Sequence, residues 1–281
     1  REGSDEYDHR QAIYEQRVKE ADQLNSRPHR LWTAGINHLT DWTDEELRRL
    51  RGWKGVAGPR VGAVSRHSGG MSLRQTARAS PLPEEISWAH LNATSSIRNQ
   101  GSCGSCWAIA SVLSLEANNE IHQKNGRTFS AQELVNCVPN NHHCGGSGGC
   151  DGATVELALD YALRHGLSDT TDTPYAGVDL KCSKDLSLLA GDGEGEDLEQ
   201  IVAAGVHSAS ENSRGPSAFG LVGWERLPEN KYEPLMRAVV ERGPVAVSVS
   251  ATAWSSYILG VFNHCDVDAV IDHAVTLIGY G

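Results

Sequence analysis

The sequence predicts an α+β protein with two unlike halves behind a small helical module. Three observations predict it. Helical periodicity dominates as far as residue 166, and β-branched alternation replaces it towards residue 281. A stretch at 54–80 (KGVAGPRVGAVSRHSGGMSLRQTARAS) is rich in Gly, Ser and Arg and has no periodicity, so it reads as an exposed linker open to proteolysis. A chain of 281 residues with unexceptional composition is long enough for one large domain or two modest ones, each with its own core.

The first element is a helix over 5–25. Glu6, Arg10, Tyr14, Arg17, Ala21 and Asn25 fall three or four apart and share one face. That face mixes polar and apolar residues, which is odd for a core helix, so this stretch by itself reads as an exposed helix laced with ion pairs. Pro28 ends the pattern. Thr43 with Glu46 forms a T-x-x-E capping box, which predicts a short helix from about Asp44. A long buried helix follows from Cys106 to about Lys124, with Cys106, Ala110, Leu113, Ala117 and Ile121 at helical spacing. Ser130 and Glu133 cap a short helix over 129–137, and 152–166 reads as another, ended by Gly166. Residues 183–215 are acidic, Gly-rich and weakly patterned, and read as an inserted loop. Two strands complete the chain, GPVAVSVSA at 243–251 and DHAVTLIGYG at 272–281.

Charge narrows the partners. The net charge is −11, yet residues 1–80 hold 14 Lys and Arg against 11 Asp and Glu, and the remainder hold 11 against 25. A mildly basic front and an acidic body attract each other. The basic residues form no stripe, so nucleic acid is not an expected partner. No apolar run reaches the roughly 18 residues a membrane span needs. The chain opens on Arg1 with no charged-then-apolar leader, as expected where a targeting segment was removed or the start is missing.

All seven cysteines lie beyond residue 100, and an odd count leaves at least one thiol unpaired within the chain. The segment QGSCGSCWAIAS (100–111) has four readings: a metal knuckle, a redox pair, a disulfide corner, or a nucleophile on a helix. Zinc would want a second C-x-x-C pair; only His142 and His143 beside Cys144 keep that reading open. A redox pair would follow a strand, whereas loop precedes Cys103. A nucleophile fits better. Cys106 at a helix N-terminus has the macrodipole and unpaired N–H groups to stabilise a thiolate. Cys103, three residues earlier, would fix the turn, and the Gln100 side chain with the Cys106 N–H would make an oxyanion hole. A thiolate nucleophile needs an imidazole, and His273 stands out in an apolar strand, where a buried structural histidine is the competing reading.

Gln-Gly-Ser-Cys-Gly-Ser-Cys-Trp at 100–107 resembles the active-site signature of papain-family, cathepsin L-like cysteine proteases. LPEEISW (82–88), CDGATVELALDYA (150–162), TPYAGVDLKC (173–182) and DHAVTLIGYG resemble further family segments in order. In the front module, Glu6, Arg10, Tyr14 and Asn25 resemble the family's Glu-Arg-Phe-Asn-Ile-Asn pattern, from which Arg17 and Ala21 depart. Gly35, Asn37, Leu39 and Asp41 resemble its Gly-x-Asn-x-Phe-x-Asp motif.

The resemblance implies a papain-like fold, a helical half plus an antiparallel β-barrel-like half, behind a helical inhibitory prosegment. It implies a prosegment at 1–53, a linker with the maturation cut at 54–81, and a peptidase domain at 82–281. It implies a cysteine endopeptidase made as an autoinhibited zymogen, with Cys106 as nucleophile, His273 as base and then acid, Gln100 as oxyanion donor, and Asp272 tuning the pair. Gly152, Ala153, Val155, Ser248 and Ala274 map to an apolar substrate pocket, where Ala153 replaces a family Gly and crowds the substrate backbone. The implied disulfides are Cys103–Cys150 and Cys137–Cys182, with Cys144 and Cys265 left over. Neither cofactor nor metal is expected. The expected partners are polypeptide substrates, the protein's own prosegment in cis and protein inhibitors of cysteine proteases, for a monomer in a lysosome- or vacuole-like compartment or outside the cell. Asn92-Ala93-Thr94 is a glycosylation sequon. The family continues past the position of Gly281 with an Asn that orients the imidazole and a Trp that shields the pair. The sequence is therefore expected to be incomplete at its C-terminal end, and the alternative reading is a weak or inactive homologue or fragment acting as a binding protein.

Overall fold

The computed structural model describes residues 3–54, 81–183, 221, 223–266 and 268–281. Nearly all of the expected linker and most of the acidic insertion lie outside the described residues.

The front module is built on α1 (Asp5–Asn25), β1 (Trp32–Ala34) and α2 (Asp44–Leu50). Ser4 caps α1 by accepting the Tyr7 N–H, and Asp5, Glu6 and Asp8 in the first turn suit the positive end of its dipole. The Thr43–Glu46 capping box of α2 is complete: the Glu46 N–H donates to Thr43 Oγ1 at 3.2 Å and the Thr43 N–H to Glu46 Oε2 at 2.8 Å. The shared face of α1 is its docking face. Arg10 forks onto both Glu46 oxygens at 2.7 and 2.6 Å, and Arg17 reaches Asp44 at 2.6 Å. Ala21 is buried. The Asn25 carboxamide donates to the Ala34 carbonyl at 2.9 Å and accepts the Ala34 N–H at 3.0 Å, as a neighbouring strand would. The Arg10 guanidinium and the Thr43 backbone N–H lower the Glu46 pKa to about 2.

The helical half packs α3 (Cys106–Gln123), α4 (Ala131–Cys137) and α5 (Val155–His165). Helix α3 is apolar on more than one face because α4 and α5 cover one side and the strand half covers another. Trp107, Ala108 and Val112 lie in the core with Phe129, Leu134 and Leu167, while Ala110 and Ala117 are buried elsewhere on the helix. Each fully buried large side chain of this set stabilises the fold by about 1.5–3 kcal/mol relative to exposure. The disulfides Cys103–Cys150 and Cys137–Cys182 both lie in this half; Cys106, Cys144 and Cys265 are free. Helix α5 starts at Val155, not at Gly152 as the sequence predicts. Gly152 (φ +99°) is in a conformation that cannot join a right-handed helix, and Thr154 is the N-cap.

Among the described residues the strand half carries α6 (Tyr232–Arg242), which the sequence reading missed, and five strands: β2 (Ile86–Ser87), β3 (Val245–Val249), β4 (Tyr257–Gly260), β5 (His273–Leu277) and β6 (Gly279–Tyr280). The described sheets are antiparallel pairs: β3 with β5, β2 with β6, and β1 of the front module with β4. The single strand expected at 272–281 is therefore two. Gly279 lies against the Ile86 backbone, where a Cβ would come within 2.3 Å of the Ile86 carbonyl, and from there the chain pairs with β2. Thr276 Oγ1 donates to the Ala110 carbonyl at 3.3 Å and ties β5 to α3. That seam brings the start of α3 and the start of β5 together.

Candidate active site

Cys106 is the first residue of α3 and is 2% exposed. The turn before it is fixed by the Cys103–Cys150 bridge and by the Gly104 N–H on the Cys150 carbonyl at 2.9 Å. Burial pushes the Cys106 thiol pKa up. The N–H groups of Ala274, Gly52 and Trp107 pull it down, and Asp272 raises it further. His273 opens β5, where it is paired with Val249. Burial pushes its pKa below the ordinary imidazole value, Asp272 opposes this, and Arg51 adds to it. Its Nδ1 is buried and has no hydrogen-bond partner among the described residues. The surroundings therefore favour the neutral form of both the thiol and the imidazole. Trp254 stands edge-on to the imidazole, with ring centres 6.5 Å apart.

The cleft is occupied by the segment after α2. Leu50, which ends α2, and residues 51–54 after it lie across the mouth of α3, held mainly through their backbone. Gln100 Nε2 donates to the Leu50 carbonyl at 2.6 Å and to the Cys103 carbonyl at 2.7 Å. The Gly52 N–H donates to Cys106 Sγ at 3.3 Å, the Trp53 N–H to the Asp272 carbonyl at 3.1 Å, and the Lys54 N–H to the Gly145 carbonyl at 2.8 Å. Arg51 Nε meets Asp272 Oδ2 at 2.9 Å, and the two side chains are 17% and 14% exposed. A Cβ on Gly52 would come within 2.1 Å of the Gly104 carbonyl and 2.9 Å of Cys106 Sγ. No other residue fits there without displacing the segment.

Upstream, the front module grips the strand half by pairing β1 with β4. Trp32 is 3% exposed, with its ring 4.7 Å from Phe262 and 6.2 Å from Tyr257. The Gly35 N–H reaches the Ser256 carbonyl at 2.8 Å, Asn37 Nδ2 reaches the Ser255 carbonyl at 2.8 Å, and Arg27 touches His264.

Residues 82–281 match the family described as papain family cysteine protease, and residues 2–47 match the cathepsin propeptide inhibitor domain. This chain belongs to the papain family. Among curated relatives it is similar to the oryzain beta chain of Oryza sativa subsp. japonica, at 30% identity over 98% of this chain and 52% of the relative. A senescence-specific cysteine protease of Arabidopsis thaliana is 28% identical over 98% of this chain and 70% of its own length. The chain thus spans between about half and seven-tenths of these papain-family relatives. Among solved structures it resembles a recombinant stem bromelain precursor, with TM-score 0.70 and 26% identity over 100% of this chain and 78% of that one. A digestive procathepsin L proteinase from Tenebrio molitor larval midgut gives TM-score 0.74 at 25% identity, covering 99% of this chain and 80% of that one.

Of the residues that the papain-family resemblance pointed to, Cys106, Gln100, Gly152 and Ala274 converge on the segment 50–54 or on the thiol it covers. A Cβ on Gly152 would come within 2.1 Å of the Gly52 carbonyl, and the Ala274 N–H faces Cys106 Sγ. Ala153 is buried, with its carbonyl against Gly145, which also backs onto the Trp53 indole. Val155 only opens α5, and Ser248 is exposed opposite Ala274 in the β3–β5 register. Asn92 lies apart, with its carboxamide on Glu120 at 2.9 Å. Sequence reasoning missed Arg51, Gly52 and Gly145. The one signal for the first two was a glycine directly behind a basic helix end, Arg48-Arg49-Leu50-Arg51-Gly52.

Proposed function

We propose that this chain is a cysteine-type endopeptidase made as an autoinhibited zymogen, with Cys106 as nucleophile, His273 as general base and acid, and Gln100 as oxyanion donor. One observation carries the reading. The prosegment backbone lies where a substrate's backbone would, with its Gly52 N–H on the nucleophilic sulfur and its Leu50 carbonyl on the oxyanion donor. Latency then has two causes. The segment blocks the cleft, and it keeps the pair neutral by burying it and by placing the Arg51 charge near His273.

Cutting the 54–81 linker and losing residues 1–53 reverses both. Water and substrate dipoles reach the pair, the Arg51 charge departs, and the imidazole can take the thiol proton. The thiolate, at the N-terminus of α3, attacks a peptide carbonyl. Gln100 Nε2, no longer on Leu50, donates to the developing oxyanion. His273 returns the proton to the leaving amine, and water hydrolyses the thioester. Gly152 and Ala274, beside the segment that covers the thiol, would line the subsite for an apolar side chain, with Ala153, Val155 and Ser248 flanking them in sequence or register. Two disulfides and the exposed sequon at Asn92 favour the secretory pathway, ending in a lysosome- or vacuole-like compartment or outside the cell.

The test is labelling with an epoxide thiol inactivator before and after acid processing, with the modified cysteine read by mass spectrometry. Labelling confined to Cys106, and faster once residues 1–53 are gone, is expected. Equal labelling of Cys106 and the exposed Cys265 would sink the reading.

A further inference from the structure

Asp272 does more in this structure than stand next to His273. Its Oδ1 accepts the Ala251 N–H at 2.8 Å, and its Oδ2 accepts Thr252 Oγ1 at 2.6 Å and Arg51 Nε at 2.9 Å. Two of these donors belong to the peptidase body and are permanent. The third belongs to the prosegment and leaves with it. The side chain is 14% exposed with Arg51 seated on it, and the carboxylate left when Arg51 departs is still oriented by two fixed donors and has lost the guanidinium it paired with. Its position is set too. Arg51 precedes Gly52, whose N–H is on Cys106 Sγ, so the cation it binds comes from a residue next to the one seated on the nucleophile.

We propose that Asp272, with Thr252 and Ala251, is a cation subsite, filled by Arg51 in the zymogen and by an Arg or Lys side chain flanking the scissile bond of a peptide substrate in the processed enzyme. The substrate half of this rests on the protease reading above. Arginine is the better occupant, because its guanidinium meets a carboxylate with directed N–H groups where an ammonium offers a point charge. An uncharged side chain of the same shape would cover the carboxylate without replacing the charged hydrogen bond that Arg51 made to Oδ2, which is the more costly alternative. The acidic surplus of residues 81–281 favours the same sign of ligand.

Two measurements test it. In the intact chain carrying Arg51→Ala, ethylguanidinium should slow alkylation of Cys106 by iodoacetamide, read by mass spectrometry, where the neutral isostere ethylurea does not. The difference should vanish when Asp272→Asn is added. In the processed enzyme, peptides carrying Arg beside the cut should exceed their citrulline counterparts in kcat/KM by roughly ten- to a hundredfold, the weight of a hydrogen bond to a charged group. That ratio should collapse towards one in Asp272→Asn, whatever the variant does to absolute rates. Equal action of ethylguanidinium and ethylurea overturns the cation site. An Arg-to-citrulline ratio near one, or one that survives Asp272→Asn, overturns its use for substrate. A processed chain that cleaves no peptide defeats the protease reading, and the alkylation result still decides whether the site binds a cation.

Discussion

The front module holds the body in two places built on opposite principles. At β1–β4 the contact is side-chain rich: Trp32 is buried among Phe262 and Tyr257, and strand pairing fixes its angle. At the cleft the contact is mostly backbone, four hydrogen bonds over residues 50–54, with two ion pairs beside them, Arg51 on Asp272 and Lys54 on Asp151 at 3.3 Å. The first is mainly apolar, with one charged contact, Arg27 on His264, at its edge. The second is polar and laid directly on two titratable groups. The comparison teaches that affinity and inhibition are separable: one region keeps the module attached, and the other silences the thiol.

The largest expected effect is at the anchor. Trp32→Ala removes the buried indole and should cost about 3–5 kcal/mol of docking, enough to free the whole module. Limited proteolysis should then digest residues 3–54 while residues 81–183 resist, and Cys106 should become reactive. Continued protection of both regions would mean that the anchor does not carry the affinity. A smaller and different effect is expected at the cleft. Gly52→Ala places a methyl against the Gly104 carbonyl and should cost about 1–3 kcal/mol, raising the alkylation rate of Cys106 by roughly five- to a hundredfold. The α1–β1 region should stay protected in that variant, and its digestion would erase the distinction between the two contacts.

The smallest effect lies inside the module. Glu46 titrates at about 2 instead of 4.5. A depressed carboxylate contributes stability that is fully present above its unfolded pKa and is lost as pH falls through the folded one. The α1–α2 contact should therefore hold at pH 5 and fail only between 4.5 and about 2. With Glu46 about one-third exposed, the contribution is about 1 kcal/mol or less. Thermal melts should show a larger fall in that window for the wild type than for Glu46→Gln, which keeps only the share due to other depressed carboxylates such as Glu120 and Asp169. A wild-type fall centred above pH 5 would place the acid-sensitive contact elsewhere.

Much of this was legible in the sequence because the signals were local. Ser130 and the Thr43–Glu46 box mark helix starts by chemistry that acts within three residues. The spacing of Glu6, Arg10, Arg17, Ala21 and Asn25 marks a face whether or not its partner is known. The start of α5 was misplaced because helical spacing runs back through Gly152, while the backbone there answers to the segment lying over it. The pieces β1, β2 and β4 are two to four residues long, too short for alternation to register, and they exist only through distant partners. At the site, Cys106, Gln100 and His273 were visible as residue types in a motif. Arg51 and Gly52 were not, because their roles lie in what they touch about fifty and two hundred residues away.

Gly52 crosses the body between Gly104 and Gly152, three backbones stacked where side chains would collide. Individuality in a polypeptide resides in its side chains, so a crossing without them carries almost no address. Prosegments from related chains should be interchangeable over the thiol and should be told apart at the Trp32 pocket. A free module of this kind would then act as a broad inhibitor whose selectivity is written some twenty residues from the bond it protects.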